Sequence, residues 1–170
     1  MTPTTLRIDS RLVHGQVVEA WLPALKADRV VIVDDAAAES QLTRAAMRLA
    51  LPPEITLTVV GPDEAGLEIL DGEHRPLILV PDIQTALRLV DRLDSSAADL
   101  LINVGVVHHA ENRRPITPSV HLSQEELDML SGLSARGIAV EVRGLPSHPP
   151  ISVERARESF EKCSRKSSES

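Results

Sequence analysis

Six short runs rich in Val, Ile and Leu, separated by stretches of helical periodicity, constrain this chain more than any other feature. They are TTLRI (4–8), RVVIVD (29–34), ITLTVV (55–60), PLILV (76–80), DLLINV (99–104) and IAVEVR (138–143). Most are continuous rather than alternating, the pattern of strands buried on both faces. Helical patterns lie between them: QVVEAWLPAL (16–25), ESQLTRAAMRLAL (39–51), DEAGLEIL (63–70), DIQTALRLVDRL (82–93) and SQEELDMLSGLSARG (123–137). Pro23 predicts a kink or an end in the first, and the Pro52–Pro53 pair stops the second. Asp82 reads as an N-cap, Ser123 and Glu126 as a capping box, and Gly137 as a C-cap. Strands alternating with helices join as right-handed βαβ units. The expectation is an α/β fold with a single open, mostly parallel β-sheet and helices on both faces. One domain is expected over residues 1–163, with residues 164–170 (SRKSSES) as a disordered tail. Residues 105–118 are the longest irregular stretch, a length often associated with function.

Composition narrows the partners. Trp21 and Phe160 are the only large aromatics, so stacking platforms for bases or sugars are not available. A net charge of −7 argues against broad nucleic-acid binding, which needs clustered Lys and Arg, but permits a small anion site. The single cysteine, Cys163, excludes an internal disulfide and a Cys-rich zinc site. There is no secretory signal pattern, and no apolar run approaches the ~20 residues that span a bilayer. A cytoplasmic protein without direct membrane insertion is expected.

In open α/β sheets, ligands bind beyond the carboxyl ends of the strands. The residues expected there are 9–15, Asp34, Asp35, Gly61, Pro81, Asp82, 105–109 and 143–146. His14 stands on that rim, directly before a helix whose first N–H groups lack internal partners and whose dipole favours anions. Gly15 allows close backbone approach, Gln16 offers an N–H and an amide, and Arg11 offers a planar fork of donors. Neutral imidazole keeps a lone pair and can act as a nucleophile. Asp9 could fix the ring or the arginine. The local pattern alone leaves the choice open: either His14 caps or packs while Arg7 and Arg11 are solvated, a reading that must also account for the glycine, the arginines and the rim position, or it has a phosphate or acid–base role.

RIDSRLVHGQVVEAW (7–21) resembles the signature of the IIB component of mannose/fructose/sorbose-type sugar phosphotransferase systems. The similarity continues through ADRVVIVDD, INVG, the Ser-x-Glu-Glu-containing helix and RGIAVEVRGLP, about Thr4 to Pro146. This resemblance implies a phosphocarrier. His14 would be phosphorylated on Nδ1 by a phosphohistidine of a IIA protein or domain. It would then pass the group to a sugar held by the membrane-embedded IIC/IID permease. Arg11, Gly15 and Gln16 would hold the phosphoryl group and Asp9 would orient it, with Arg143 a weaker candidate. No metal or organic cofactor is implied. Three places depart from the family pattern: Ser10 replaces an acid, Val106 and Val107 replace Gly-Met, and Gly144 replaces a larger residue. These departures motivate an alternative, a regulatory IIB-like protein whose phosphorylation reports system activity without sugar transport. A third reading is an α/β domain holding a free phosphate ligand. A homo-oligomer is left open.

Other residues support less chemistry. His108, His109 and Glu111 lack a third ligand at useful spacing and read as a solvated loop. Arg113 and Arg114 are loop charges able to face an acidic partner. Asp34 and Asp35 could cap a helix or line the cleft, and both uses stay open. His74, His121 and His148 read as surface or packing residues, and Trp21 as packing.

Overall fold

The structure, a computed structural model, describes residues 3–70 and 73–168. Six strands form one parallel sheet: β1 (Thr4–Asp9), β2 (Arg29–Val33), β3 (Thr56–Val60), β4 (Pro76–Val80), β5 (Leu100–Val106) and β6 (Ala139–Val142). Their spatial order is β3-β2-β4-β1-β5-β6, and every pairing in it is parallel. The expected strands and the α/β class are therefore present.

Side chains alternate across this sheet, and the alternation builds two cores. Leu6, Ile8, Val31, Val33, Ile78 and Val80 face one side. There they meet α4 (Ile83–Leu93), α5 (Gln124–Ala135) and α6 (Val153–Ser168). Val30, Ile32, Leu77 and Leu79 face the other. That side is covered by a π-helical turn, Val17–Trp21, running into α1 (Leu22–Leu25), and by α2 (Asp35–Glu39) and α3 (Gln41–Ala50). The chain leaves β1 across one face toward β2, and leaves β4 across the opposite face toward β5. The carboxyl end of β1 is thus a topological switch point, where open α/β sheets form their binding crevice.

Pro23 does not stop its helix at once. It sits in the first turn of α1, directly after the π-helical turn, where the wider register relieves the missing N–H. The helix then ends at Lys26, which caps it in a left-handed conformation. The helix expected over 39–51 is α3, and a further short helix, α2, precedes it. Asp34 caps α2 through the Ala37 N–H, and Ser40 caps α3 through the Thr43 N–H. The short helix expected over 63–70 reduces to a 3-10 turn, Leu67–Leu70. Asp82 caps α4 through the Thr85 N–H at 2.7 Å.

The reciprocal box at α5 is complete: the Glu126 N–H donates to Ser123 Oγ at 3.2 Å and the Ser123 N–H to Glu126 Oε2 at 2.9 Å. Replacing Ser123 with Ala is expected to cost about 1 kcal/mol of stability, measured as a lower urea midpoint at unchanged slope. Gly137 follows the helix with φ of 84°, the left-handed conformation that suits glycine.

Two expectations are corrected. Residues 105–118 are not an irregular loop throughout: β5 runs to Val106, and β7 (Arg114–Thr117) pairs antiparallel with β8 (Val120–Leu122). These strands have only four and three residues, and Pro115 lies within one and Pro118 between them, so no strand period could develop. The expected tail is helical over 164–168, as the end of α6, while residues 169–170 lie outside the described residues. Val153, Ala156 and Phe160 anchor α6 in the core at the three- and four-residue spacing of a helix face.

Candidate functional site

β1 carries Thr5, Arg7 and Asp9 on the face opposite Leu6 and Ile8, and all three are buried. Arg7 and Asp9 are fully enclosed. Two positively charged side chains and His14 converge on the Asp9 carboxylate. Arg7 donates to Asp9 Oδ2 from Nε at 3.2 Å and from Nη2 at 2.9 Å. His14 Nε2 lies 2.9 Å from the same oxygen. The other oxygen, Oδ1, accepts the Arg11 N–H at 3.1 Å, with Arg11 Nε at 3.5 Å. Arg11 Nη2 then donates to Gln16 Oε1 at 3.0 Å. The structure therefore brings His14, Asp9, Arg11 and Gln16 into one connected group, with Gly15 between two of them.

The local backbone explains the placement. The Ser10 N–H donates to the Val106 carbonyl and the Leu12 N–H to the Asp9 carbonyl, and Leu12 adopts a positive φ of 53°. The chain is thereby turned sharply off the sheet. The His14 carbonyl accepts the Val17 and Val18 N–H groups, so the N–H groups of Gly15 and Gln16 have no intrahelical acceptor. A Cβ on Gly15 would meet no atom within 4 Å, which leaves the approach over these N–H groups open. His14 retains 15% side-chain exposure. Its Nε2 is turned to Asp9, which leaves Nδ1 as the ring nitrogen without that partner.

Arg7 is the residue that sequence reasoning missed. Burial pushes its guanidinium below the ordinary value and Asp9 pulls it back up; an arginine remains protonated regardless. Besides Asp9 it donates to Asn103 Oδ1 at 2.7 Å, and to the carbonyls of Arg143 and Gly144, each at 3.2 Å. Trp21 covers the guanidinium with its ring centroid 4.6 Å from Cζ, and its indole N–H donates to the Gly144 carbonyl at 3.2 Å. Trp21 is thus packing, as expected, but packing on a charge. Asn103 is also fully buried, and its amide donates to Glu141 Oε1 at 2.9 Å. The missed signal was a charged residue inside a run otherwise buried, with an acid two positions on and so on the same face.

Arg143 contributes differently from its neighbours. Its carbonyl faces Arg7 and Asn103, whereas its guanidinium is bonded to the carbonyls of His148 and Pro146. Val106 and Val107 are buried, and Val107 bridges to Val120. Asp34 caps α2, while Asp35 pairs with Arg88 at 3.4 Å. Arg113 is bonded through both Nε and Nη2 to Glu126 and reaches the His108 carbonyl. Arg114 lies over Phe160. His108 and His109 are exposed, and His109 meets His121 edge-on.

An anion-accepting helix start, a histidine with one nitrogen tied to an enclosed carboxylate, and a switch-point position suit group transfer through imidazole. Comparison with known proteins finds relatives among IIB components of the phosphotransferase system. The chain is similar to the fructose-specific EIIB component of Bacillus subtilis, with 24% identity over 83% of this chain and 86% of that protein. It is 22% identical to the sorbose-specific EIIB component of Klebsiella pneumoniae, over 90% of this chain and 93% of that one. With the mannose-specific EIIAB component of Escherichia coli it shares 26% identity, over 85% of this chain but only 45% of that longer protein. Among solved structures, the IIBSor domain of the Klebsiella pneumoniae sorbose permease superposes with a TM-score of 0.78, covering 93% of this chain and 98% of that domain at 24% identity. The manxB structure from Thermoanaerobacter tengcongensis gives the same TM-score at 25% identity, with the same coverage of each chain. The model of the sorbose subfamily IIB component of the phosphotransferase system matches residues 4–168, and the chain belongs to that family.

Proposed function

We propose that this protein is a cytoplasmic phosphohistidine carrier in sugar uptake, with His14 Nδ1 as the atom that accepts and donates the phosphoryl group. One observation carries the reading: His14 Nε2 lies 2.9 Å from the enclosed Asp9 carboxylate. With Nε2–H donating to that oxygen, the remaining lone pair belongs to Nδ1. The Nδ1 pair attacks phosphorus on a phosphohistidine of a IIA protein or domain. The donor's P–N bond breaks, and its electron pair returns to the donor ring. In the second step a sugar hydroxyl on the IIC/IID permease attacks phosphorus. The P–N bond to His14 breaks, its pair returns to Nδ1, and the hydroxyl proton leaves to a base or water at the sugar site. Gly15 and Gln16 N–H groups and Arg11 stabilise the charge on the phosphoryl oxygens, so positioning and preorganised donors do most of the work. No cofactor takes part in these steps.

Incubation with phosphorylated IIA protein should place acid-labile phosphate on His14, and His14→Ala should abolish it. Cys163, the only thiol, stands on α6 near the Pro115 carbonyl rather than at the junction after β1. Label mapped to Cys163 in the unsubstituted protein would refute the histidine assignment. Label on His14 that never reaches sugar in the presence of the permease would favour the regulatory reading.

A further inference from the structure

The phosphocarrier reading uses His14, Asp9 and Arg11 and leaves Arg7 without a role. Arg7 is fully enclosed, so it cannot touch a phosphoryl donor. Its strand position, between Leu6 and Ile8, would take an aliphatic residue at less desolvation cost, and replacing buried ions by well-packed apolar groups is often neutral or stabilising. Yet this guanidinium is bonded on every nitrogen.

A single atom links it to the chemistry. Asp9 Oδ2 lies 2.9 Å from Arg7 Nη2 and 2.9 Å from His14 Nε2. The fork of Arg7 holds the carboxylate against rotation and so fixes which oxygen meets the imidazole. It also cancels the carboxylate's charge. Without it the ring would face a bare anion, which favours a second ring proton, and a doubly protonated imidazole has no lone pair for attack. Asn103 fixes the fork from the other side: its Oδ1 accepts from Arg7 while its amide donates to Glu141. The charged groups around the ring are Arg7 and Asp9 from β1 and Arg11 from the loop after it. Glu141 and Arg143 of the β6 side connect to it through Asn103 and Arg7.

We propose that Arg7 is a positioning residue for phosphoryl transfer, which holds and neutralises Asp9 so that His14 stays in the Nε2–H form with Nδ1 open. This inference rests on the phosphohistidine reading and deepens it. The test is nitrogen-15 NMR of the histidine rings across a pH series, on the unsubstituted protein and on Arg7→Met, Arg7→Gln and Arg7→Lys, paired with rates of labelling from phosphorylated IIA. The unsubstituted ring should show the Nε2–H tautomer. In the two neutral variants the doubly protonated population should grow. Labelling at neutral pH should fall several-fold as the population with an open Nδ1 shrinks, with KM for the donor unchanged and the loss recovered at higher pH. Arg7→Lys restores the charge and should bring both readouts back toward the unsubstituted protein. Arg7→Gln keeps an amide donor for Asp9 and serves where Arg7→Met does not fold. An Nδ1–H tautomer in the unsubstituted protein, an unchanged ring signature in the folded neutral variants, or a loss confined to KM would each overturn the proposal. Absence of label on His14 in the unsubstituted protein would sink the phosphocarrier reading instead, while the ring signature would still report whether Arg7 acts on Asp9.

Discussion

Replacing Asp9 with Ala is expected to destabilise the protein by about 3–5 kcal/mol, the cost of leaving a buried charge without its partner. Asp9 accepts from Arg7 through two nitrogens, from the Arg11 N–H and from the His14 ring. Ala leaves the Arg7 guanidinium in place with nothing ionised to face it. Water has no access to replace the carboxylate, because Arg7 is fully enclosed and roofed by Trp21. Asp9→Asn should cost less, since the amide oxygen still accepts while the charge is lost. Arg11→Ala, by contrast, removes a side chain that is 38% exposed and 3.5 Å from Asp9. Partly exposed pairs of that kind contribute about 0–1 kcal/mol. Urea denaturation of the three variants checks the order. An Asp9→Ala protein as stable as Arg11→Ala would mean that the Arg7–Asp9 pair is not the electrostatic centre of the fold.

How far the sequence could be read follows from the same residues. The six strands were legible because their apolar runs are dense and end at acids, glycines or, for 76–80, a proline. The rim position of His14 then followed from strand direction alone. Asp82 and Ser123 were legible as caps because their partners sit three residues on, within one turn. Arg7 was not, although TTLRID holds the clue. In a strand buried on both faces, Leu6 and Ile8 point one way and Arg7 and Asp9 the other, so the pair must satisfy each other. What local pattern cannot supply is the third partner: Asn103 lies 96 positions away and meets Arg7 only because β1 pairs with β5 in parallel, with Arg7 opposite Asn103. The hairpin and α6 were missed for different reasons. The hairpin is too short and too rich in proline to show a period. The helix follows a proline pair and carries many charges, and only its three anchoring side chains mark a buried face.

Gly144 and Ser10, two of the departures from the family pattern, can be placed physically. Gly144 contributes its carbonyl to both Arg7 and Trp21, a backbone function indifferent to side-chain identity. Ser10 is exposed and contributes its N–H to the Val106 carbonyl, again through the main chain. The frame around His14 is therefore built largely from atoms that these replacements leave unchanged, which accounts for an intact cluster beside altered positions.

Gly105 is the position where a single methyl group should do most damage. The register between β1 and β5 shifts between Ile8 and Asp9, so that Asp9 aligns with Val106 and Gly105 is passed over. The space where a side chain would stand is filled by the Arg7 guanidinium: a Cβ on Gly105 would overlap Cζ and both terminal nitrogens. Ordinarily the far end of an arginine could swing aside at little cost. Here it is held to Asp9, Asn103 and two carbonyls, so moving it breaks charge-assisted hydrogen bonds inside the core. Overpacking costs about 1–3 kcal/mol, and stranding buried partners of a charged group about as much again or more. Gly105→Ala is accordingly expected to destabilise by about 3 kcal/mol or more and to weaken labelling of His14 through Asp9. The decisive measurement is a double-mutant cycle. In an Arg7→Ala background the clash is gone, so Gly105→Ala should cost less by about 2 kcal/mol, within the range seen for contacting residues. Additive effects would show that the glycine serves the bend of β5 itself rather than the room that Arg7 requires.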